Sequence, residues 1–243
     1  TTLQIVGESL CEALDLRADE TVIDVAAGNG NASLAAARRF AVVTSTDYVP
    51  ELLEQGRDRA AGERLAMDFQ VADAEELPFA DEQFDVAVST FGVMFAPNQE
   101  RAASELLRVV KSEGRIGLAS WTPQGFLGGL FETIAEFVPP PPALRSPMEW
   151  GTETRLVQLF GTHAVDIRCE RRNFMFRYRS AEHWIDVFRT FYGPTHKAFA
   201  ALDPDGQQQL HEHLITLLTR FNRTGDESLV VPGEYLEVVV TKH

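Results

Sequence analysis

Cysteine is scarce in this sequence: Cys11 and Cys169 are the only two, far apart and outside any CxxC pair. They offer no disulfide framework and no three-cysteine iron–sulfur site, which removes radical chemistry, and they suit two reduced thiols in a cytoplasmic protein. Lysine is almost as rare, with Lys111, Lys197 and Lys242 alone among 243 residues, and the formal net charge is −14. A protein that tracks a phosphate backbone needs a basic face. The main basic cluster here, Arg168 to Arg179, alternates with apolar residues like one face of a strand, so nucleic acid is not an expected partner. Apolar runs such as Val238-Val239-Val240 fall far short of the ~20 residues that span a bilayer, and no membrane insertion is expected. There is no secretory signal, polybasic anchor, internal repeat or low-complexity tail. The chain opens on Thr1 rather than Met, which reads as a start inside the natural polypeptide.

What is present is an alternation of short apolar runs and helical patterns. Residues 3–16 place Leu3, Val6, Leu10, Ala13 and Leu14 at helical spacing. Strands are expected at Thr21–Val25, Ala41–Thr46, Phe69–Val71, Phe84–Ser89 and Arg115–Ser120, with helices at Ala32–Phe40, from Pro50 to about Ala61, and at Gln99–Val110. Gly114 is expected to close a turn before the fifth strand. Such alternation implies right-handed crossovers and a parallel sheet covered on both faces. Ligands of such sheets lie beyond the carboxyl ends of the strands, which puts residues 26–31, 47–48, 73–74 and 89–92 along one rim.

On that rim, Ala27-Gly28-Asn29-Gly30-Asn31 makes a tight turn between a strand and a helix, where glycine lets backbone approach a ligand closely. Asp47 ends the next strand seventeen residues after Gly30, and an ionised carboxylate can accept both hydroxyls of a ribose. The spacing also occurs in nicotinamide enzymes, so by itself it identifies a ribose and no particular cofactor. Ser33 stands where the dinucleotide fingerprint wants a third glycine or alanine, and no basic residue follows the loop to meet a pyrophosphate.

Taken together, Val22-Ile-Asp-Val-Ala-Ala-Gly-Asn-Gly-Asn31, Ser45-Thr-Asp47 with Pro50-Glu-Leu-Leu53, Ala72-Asp-Ala-Glu-Glu-Leu-Pro-Phe79, Phe84-Asp-Val-Ala-Val-Ser89 and Glu105-Leu-Leu-Arg-Val-Val110 with Gly114-Arg115 resemble the class I S-adenosylmethionine-dependent methyltransferases, particularly the ubiquinone/menaquinone-biosynthesis group. The resemblance covers residues 3–121. It implies a Rossmann-like, doubly wound, seven-stranded α/β sheet, mostly parallel with an antiparallel last strand. It implies S-adenosylmethionine as cofactor, S-adenosylhomocysteine as product, no metal, and in-line methyl transfer to a small-molecule acceptor. Residue by residue, Gly28 and Gly30, with Ala26, Asn29 and Asn31 in the same loop, would approach the methionine part, and Asp24 would act indirectly or hold the loop. Asp47 would take the ribose hydroxyls, with Tyr48 beside the adenine. Asp73 and the Ala74 amide would meet the adenine edge, and Ser89 and Thr90 would line the methionine end. The sequence departs from the family at Ala26-Ala27, where Gly-Cys is commoner, and at Lys111-Ser-Glu-Gly114, where Lys-Pro-Gly-Gly is usual.

The chain is expected to form a single domain over 1–243, with a cofactor-binding core at 1–121 and a substrate or cap half at 122–243. In that half, Phe126–Phe137 is an amphipathic helix stopped by Pro139-Pro140-Pro141-Pro142, a stiff polyproline II spacer. Thr154–Phe160 reads as a helix and Val165–Tyr178 as a strand with a bend or bulge near Glu170–Asn173. Glu182–Ala201 and Gln207–Asn222 read as helices, and Tyr235–Thr241 as the final strand. The stretch of about 180–233 is a helical insertion between the last two strands, placed to cap the site or to build a homodimer interface. Its aromatic residues suggest an apolar or aromatic acceptor. Among His163, His183, His196, Tyr178 and Tyr192 in this half, His196 and Tyr192 are the leading candidates for a general base, beside the break Tyr192-Gly193-Pro194. His211 and His213, two apart on a helix, cannot face one metal together. Two further readings stand beside the methyltransferase: a nicotinamide-dependent oxidoreductase, and a non-catalytic S-adenosylmethionine-binding protein.

Overall fold

The structure is a computed structural model, and it describes residues 2–243; Thr1, the expected interior start, lies outside the described residues. Seven strands form one sheet: β1 (Thr21–Val25), β2 (Val42–Asp47), β3 (Asp68–Val71), β4 (Phe84–Thr90), β5 (Val110–Trp121), β6 (Ala164–Tyr178) and β7 (Leu229–Lys242). Their spatial order is β3-β2-β1-β4-β5-β7-β6. The pairs β1–β2, β1–β4, β2–β3 and β4–β5 are parallel, and β7 runs antiparallel between β5 and β6. The fold is therefore the expected Rossmann-like α/β sheet. Strand order reverses between β1 and β4, which is where a doubly wound sheet opens a crevice.

By compactness the chain forms two units. Among the described residues, unit 1 comprises 2–120, Arg145–Arg171 and Leu236–His243; unit 2 comprises Trp121–Leu144 and Arg172–Tyr235. In unit 1, α1 (Gln4–Ala13), α2 (Asn31–Ala37), α3 (Pro50–Glu63) and α4 (Gln99–Val109) accompany the parallel strands, and α6 (Glu153–Phe160) joins them later in the chain. Leu10, Cys11 and Leu14 of α1 bury themselves with Ala32, Ala35 and Ala36 of α2 and with Val22, Val43, Val86, Val88 and Val239 of the sheet. Alanine dominates α2 because its neighbours come so close. At Gly7, a Cβ would lie 2.8 Å from the Asn31 carbonyl oxygen. Val22, Ile23, Val86, Ala87 and Val88 are essentially inaccessible, as befits strands covered on both faces.

Unit 2 holds α5 (Phe126–Phe137), α7 (Ala181–Phe191), α8 (Gly193–Ala201) and α9 (Pro204–Phe221). The last three form the helical insertion between β6 and β7. The helical stretch expected over Glu182–Ala201 divides at its expected break, Tyr192-Gly193-Pro194, because Tyr192 takes an extended conformation (φ −99°, ψ 111°) and Pro194 restarts the chain in the first turn of α8. The turn expected at Lys111–Gly114 is instead part of β5, which begins at Val110. The extra length is absorbed by a register shift opposite Phe84–Val86 and by a positive φ at Glu113. β6 runs as one strand from Ala164 to Tyr178, through Glu170–Asn173 where a bend or bulge is expected.

Candidate cofactor site

β1 ends at Val25, and the chain turns at once through three left-handed residues: Ala26 (φ +54°), Gly28 (+58°) and Gly30 (+82°), the last capping α2. Positive φ is uncommon for alanine and has to be held in place by its surroundings. Two neighbours do so. The Ala27 N–H donates to the Thr46 carbonyl at 2.8 Å. Gly92, just past β4, packs so tightly on Ala26 that a Cβ there would stand 2.0 Å from the Ala26 carbonyl oxygen. The loops after β1 and β4 thus meet across the point where strand order reverses. A Cβ on Gly28 would touch nothing within 4 Å, so the loop presents bare backbone there.

Asp47, at the carboxyl end of β2, is 5% exposed. Its Oδ2 accepts from the Gly28 N–H at 2.8 Å and its Oδ1 from the Val49 N–H at 2.9 Å. A carboxylate has about four lone-pair positions, so two protein donors fix it and leave one position on each oxygen for a ligand. Tyr48 beside it is 71% exposed. β3 follows β2 in register, with Val71 opposite Asp47, and the Ala72 N–H donates to the Asp47 carbonyl at 3.1 Å. Asp73 and Ala74 come next. The Asp73 Oδ1 accepts from the Glu75 N–H at 2.8 Å, which pins an exposed carboxylate into a turn.

Asp24 is fully buried within β1. Its Oδ2 accepts from the Ser33 N–H (2.8 Å) and the Ser33 hydroxyl (2.6 Å), and Ser45 stands 2.9 Å from that hydroxyl. Its Oδ1 is buried and has no partner. Burial pushes the Asp24 carboxyl up to about 7, against the two Ser33 bonds that pull it down. Asp24 thereby ties the strand to the first turn of α2, the loop-holding role that the sequence left open. Ser89 is equally committed: its hydroxyl donates to the Val25 carbonyl at 2.6 Å and accepts from the Val93 N–H at 3.0 Å. The side chain of Ser89 therefore braces β1 against β4, while Thr90 is half-buried beside it.

Sequence reasoning missed Arg59. From α3 its guanidinium reaches the Asn29 carbonyl (2.7 Å), the Asn29 side-chain oxygen (3.0 Å) and the Asn31 side-chain oxygen (3.0 Å). It braces the loop from behind, and its burial there lowers its pKa. No local signal marks it, because the partners are some thirty residues away in sequence.

The residues just described belong to unit 1; Tyr192 and His196 belong to unit 2. The Tyr192 hydroxyl is buried without a partner, and burial pushes its pKa up, which favours the protonated phenol. His196 is exposed, with Nδ1 3.0 Å from the Arg189 carbonyl. No cluster of His, Cys, Asp or Glu suited to a metal occurs among the described residues, and no helix is long and apolar enough to cross a membrane.

An arrangement of this form along the strand ends, with an acid at the end of β2, a second acid after β3 and a glycine loop after β1, points to a class. The chain belongs to the class I S-adenosylmethionine-dependent methyltransferases. A family profile described as "Methyltransferase domain" matches residues 23–118. An uncharacterized protein of Mycobacterium tuberculosis is 37% identical over 246 residues, covering 98% of this chain and 86% of that one. A demethylmenaquinone methyltransferase of Clavibacter sepedonicus is 39% identical over 105 residues, 43% of this chain and 42% of its own. Among solved structures, the YcgJ protein of Bacillus subtilis shares the fold, with a TM-score of 0.69 at 18% identity over 98% of this chain and 99% of that chain.

Proposed function

We propose that this methyltransferase acts on a small apolar or aromatic molecule and holds S-adenosylmethionine along the rim built by the loops after β1, β2, β3 and β4. The observation that carries the cofactor assignment is Asp47. It is a nearly inaccessible carboxylate oriented by two backbone donors, beside the bare backbone of Gly28. The residues fit the group. Asp47 would accept the ribose hydroxyls with its two remaining lone-pair positions, Tyr48 would lie beside the adenine, and Asp73 with the Ala74 amide would meet the adenine edge. Gly28, Asn29, Gly30, Asn31 and Ala26 would offer backbone to the methionine portion, and Ser89 and Thr90 would line that end. Asp24 and Arg59 act through the loop.

When bound, the cofactor supplies a methyl group already activated by its sulfonium, so the protein's tasks are alignment, exclusion of water and proton removal. Alignment alone contributes on the order of 7–11 kcal/mol in favourable cases. For the proton, His196 is the better of the two candidates. An N–H on Nδ1 satisfies the Arg189 carbonyl and leaves Nε2 with a free lone pair, the tautomer a base requires. The acceptor class is supported by unit 2, where Trp121, Phe126, Phe176, Trp184 and Phe188 form a continuous ring network and no charged side chain is fully buried among the described residues. Two unpaired cysteines, one buried and one half-buried, suit a reducing cytoplasm.

Calorimetric titration with S-adenosylmethionine, S-adenosylhomocysteine and NAD tests the assignment. The first two should bind and NAD should not. A protein that binds NAD and neither sulfur compound overturns the reading. Release of S-adenosylhomocysteine across a panel of neutral aromatic acceptors tests the acceptor class, and turnover confined to charged, non-aromatic acceptors refutes it.

A further inference from the structure

Helices α7 and α8 of unit 2 carry three buried polar atoms with no hydrogen-bond partner: Trp184 Nε1, the Tyr192 hydroxyl and Thr195 Oγ1. The other two such atoms among the described residues belong to unit 1. A buried donor left unpaired costs more than an average hydrogen bond contributes, and native structures contain few of them. Three within residues 184–195 point to a ligand.

Their surroundings define it. Trp184 and Phe188 lie one turn apart on the same face of α7, and Tyr192 follows four residues on, at the position that ends the helix. The Trp184 and Phe188 rings stack with centroids 3.8 Å apart and planes 21° apart, and Tyr192 continues the row 5.1 Å from Phe188. Phe126 meets Trp184 edge-on at 5.3 Å, and Phe176 meets Phe188 at 5.7 Å. Thr195, fully buried, stands three residues past Tyr192 in the first turn of α8. Apolar rings with a few fixed polar groups are the usual lining of a small-molecule site.

We propose that the Trp184–Phe188–Tyr192 row, with Thr195, is a recognition site for a neutral ring-bearing molecule that carries a hydrogen-bond-accepting oxygen, such as a ketone. An indole N–H can only donate, so the ligand has to bring an acceptor. The Tyr192 hydroxyl remains protonated and donates as well. The Thr195 hydroxyl can donate or accept, which admits a hydroxyl on the ligand. With no buried charge in unit 2, a charged ligand would lack a counter-ion. The identification of this ligand with the methyl acceptor rests on the methyltransferase reading; the site itself does not.

Benzophenone and diphenylmethane differ only in the oxygen, and diphenylacetate adds a charge. Titrated into the full chain with and without S-adenosylhomocysteine, benzophenone should bind saturably and at least about fivefold more tightly than diphenylmethane, and diphenylacetate should not bind. Tyr192→Phe and Thr195→Val should each weaken benzophenone about fivefold and change diphenylmethane by less than about twofold, with melting temperatures near wild type confirming the fold. On irradiation, benzophenone should label peptides within 181–201. Equal affinity for the two hydrocarbon frames, absence of saturable benzophenone binding, or labelling wholly outside 172–235 overturns the site. Failure of S-adenosylhomocysteine to bind, with benzophenone labelling intact, overturns the methyltransferase reading alone.

Discussion

Replacing Asp24 by Asn should make the protein more stable at neutral and alkaline pH while removing a pH dependence that the wild type carries. Asp24 is fully buried in β1, one oxygen held by Ser33 and the other bare. Burial raises its carboxyl from an ordinary 3.8 to about 7 in the folded chain. Between those values the folded state keeps a proton that the unfolded state has lost, so its stabilising effect is complete below about pH 4 and disappears as pH rises through 7. Each pH unit is worth ~1.4 kcal/mol, so the full span amounts to roughly 4 kcal/mol. An asparagine amide oxygen can accept both Ser33 bonds as Oδ2 does, and the amide carries no charge to desolvate. The stability gap between Asp24→Asn and wild type should therefore be small near pH 4 and grow to roughly 4 kcal/mol in favour of the variant by pH 8. Urea unfolding of the ligand-free protein at pH 5.5–8.5, clear of the sequence pI of 4.8 where solubility falls, should show about 2 kcal/mol of that growth. A gap that stays constant with pH, or that closes as pH rises, refutes the reasoning.

Three further outcomes follow from the same geometry. Asp47→Ala removes the acceptor for the Gly28 and Val49 N–H groups and for the ribose, and it should raise the dissociation constant for S-adenosylhomocysteine by about 100-fold or more. Asp73→Ala should raise it less, and the reverse ranking by calorimetry counts against the assignments. Gly92→Ala should destabilise by about 2–3 kcal/mol in denaturant unfolding, because its new methyl collides with the Ala26 carbonyl while φ at 92 (−102°) suits any residue; a neutral result rejects the close approach of the two loops. Arg59→Met keeps the packing but drops the contacts to Asn29 and Asn31, so S-adenosylhomocysteine affinity should fall about tenfold; unchanged affinity means that the loop needs no brace.

The strand–loop–helix at 21–37 and the acid ending β2 were legible because local rules determine them: a short buried apolar run, glycines at positive φ, a carboxylate where the strand stops. The break at Tyr192-Gly193-Pro194 could be read for the same reason. β5 could not. Gly114 is a good turn residue, and only pairing with β4 at Val110 and again from Arg115 onward draws Lys111–Gly114 into the strand. Ser33 counted in the sequence chiefly as a missing third glycine; its bond to Asp24 depends on α2 folding back beside β1. The Ser89 hydroxyl bonds to Val25 and Val93, and the first of these bonds joins two strands that lie far apart in sequence, so its bracing role could not be read from position alone. Arg59 and Gly92 act on the loop from other elements, and no pattern along the chain links them to it.

The strand order also sets a timetable. Unit 1 draws on three separate stretches of chain, and its third, Leu236–His243, belongs to β7, which slots between β5 and β6. During synthesis β5 and β6 emerge well before the strand that will join them, because α7, α8 and α9 come first. For that interval each offers an unpaired edge toward its missing neighbour, and the second half of β5, with Ile116, Leu118, Ala119 and Trp121, is apolar. A ribosome pausing within the insertion would hold the nascent chain in its most association-prone state.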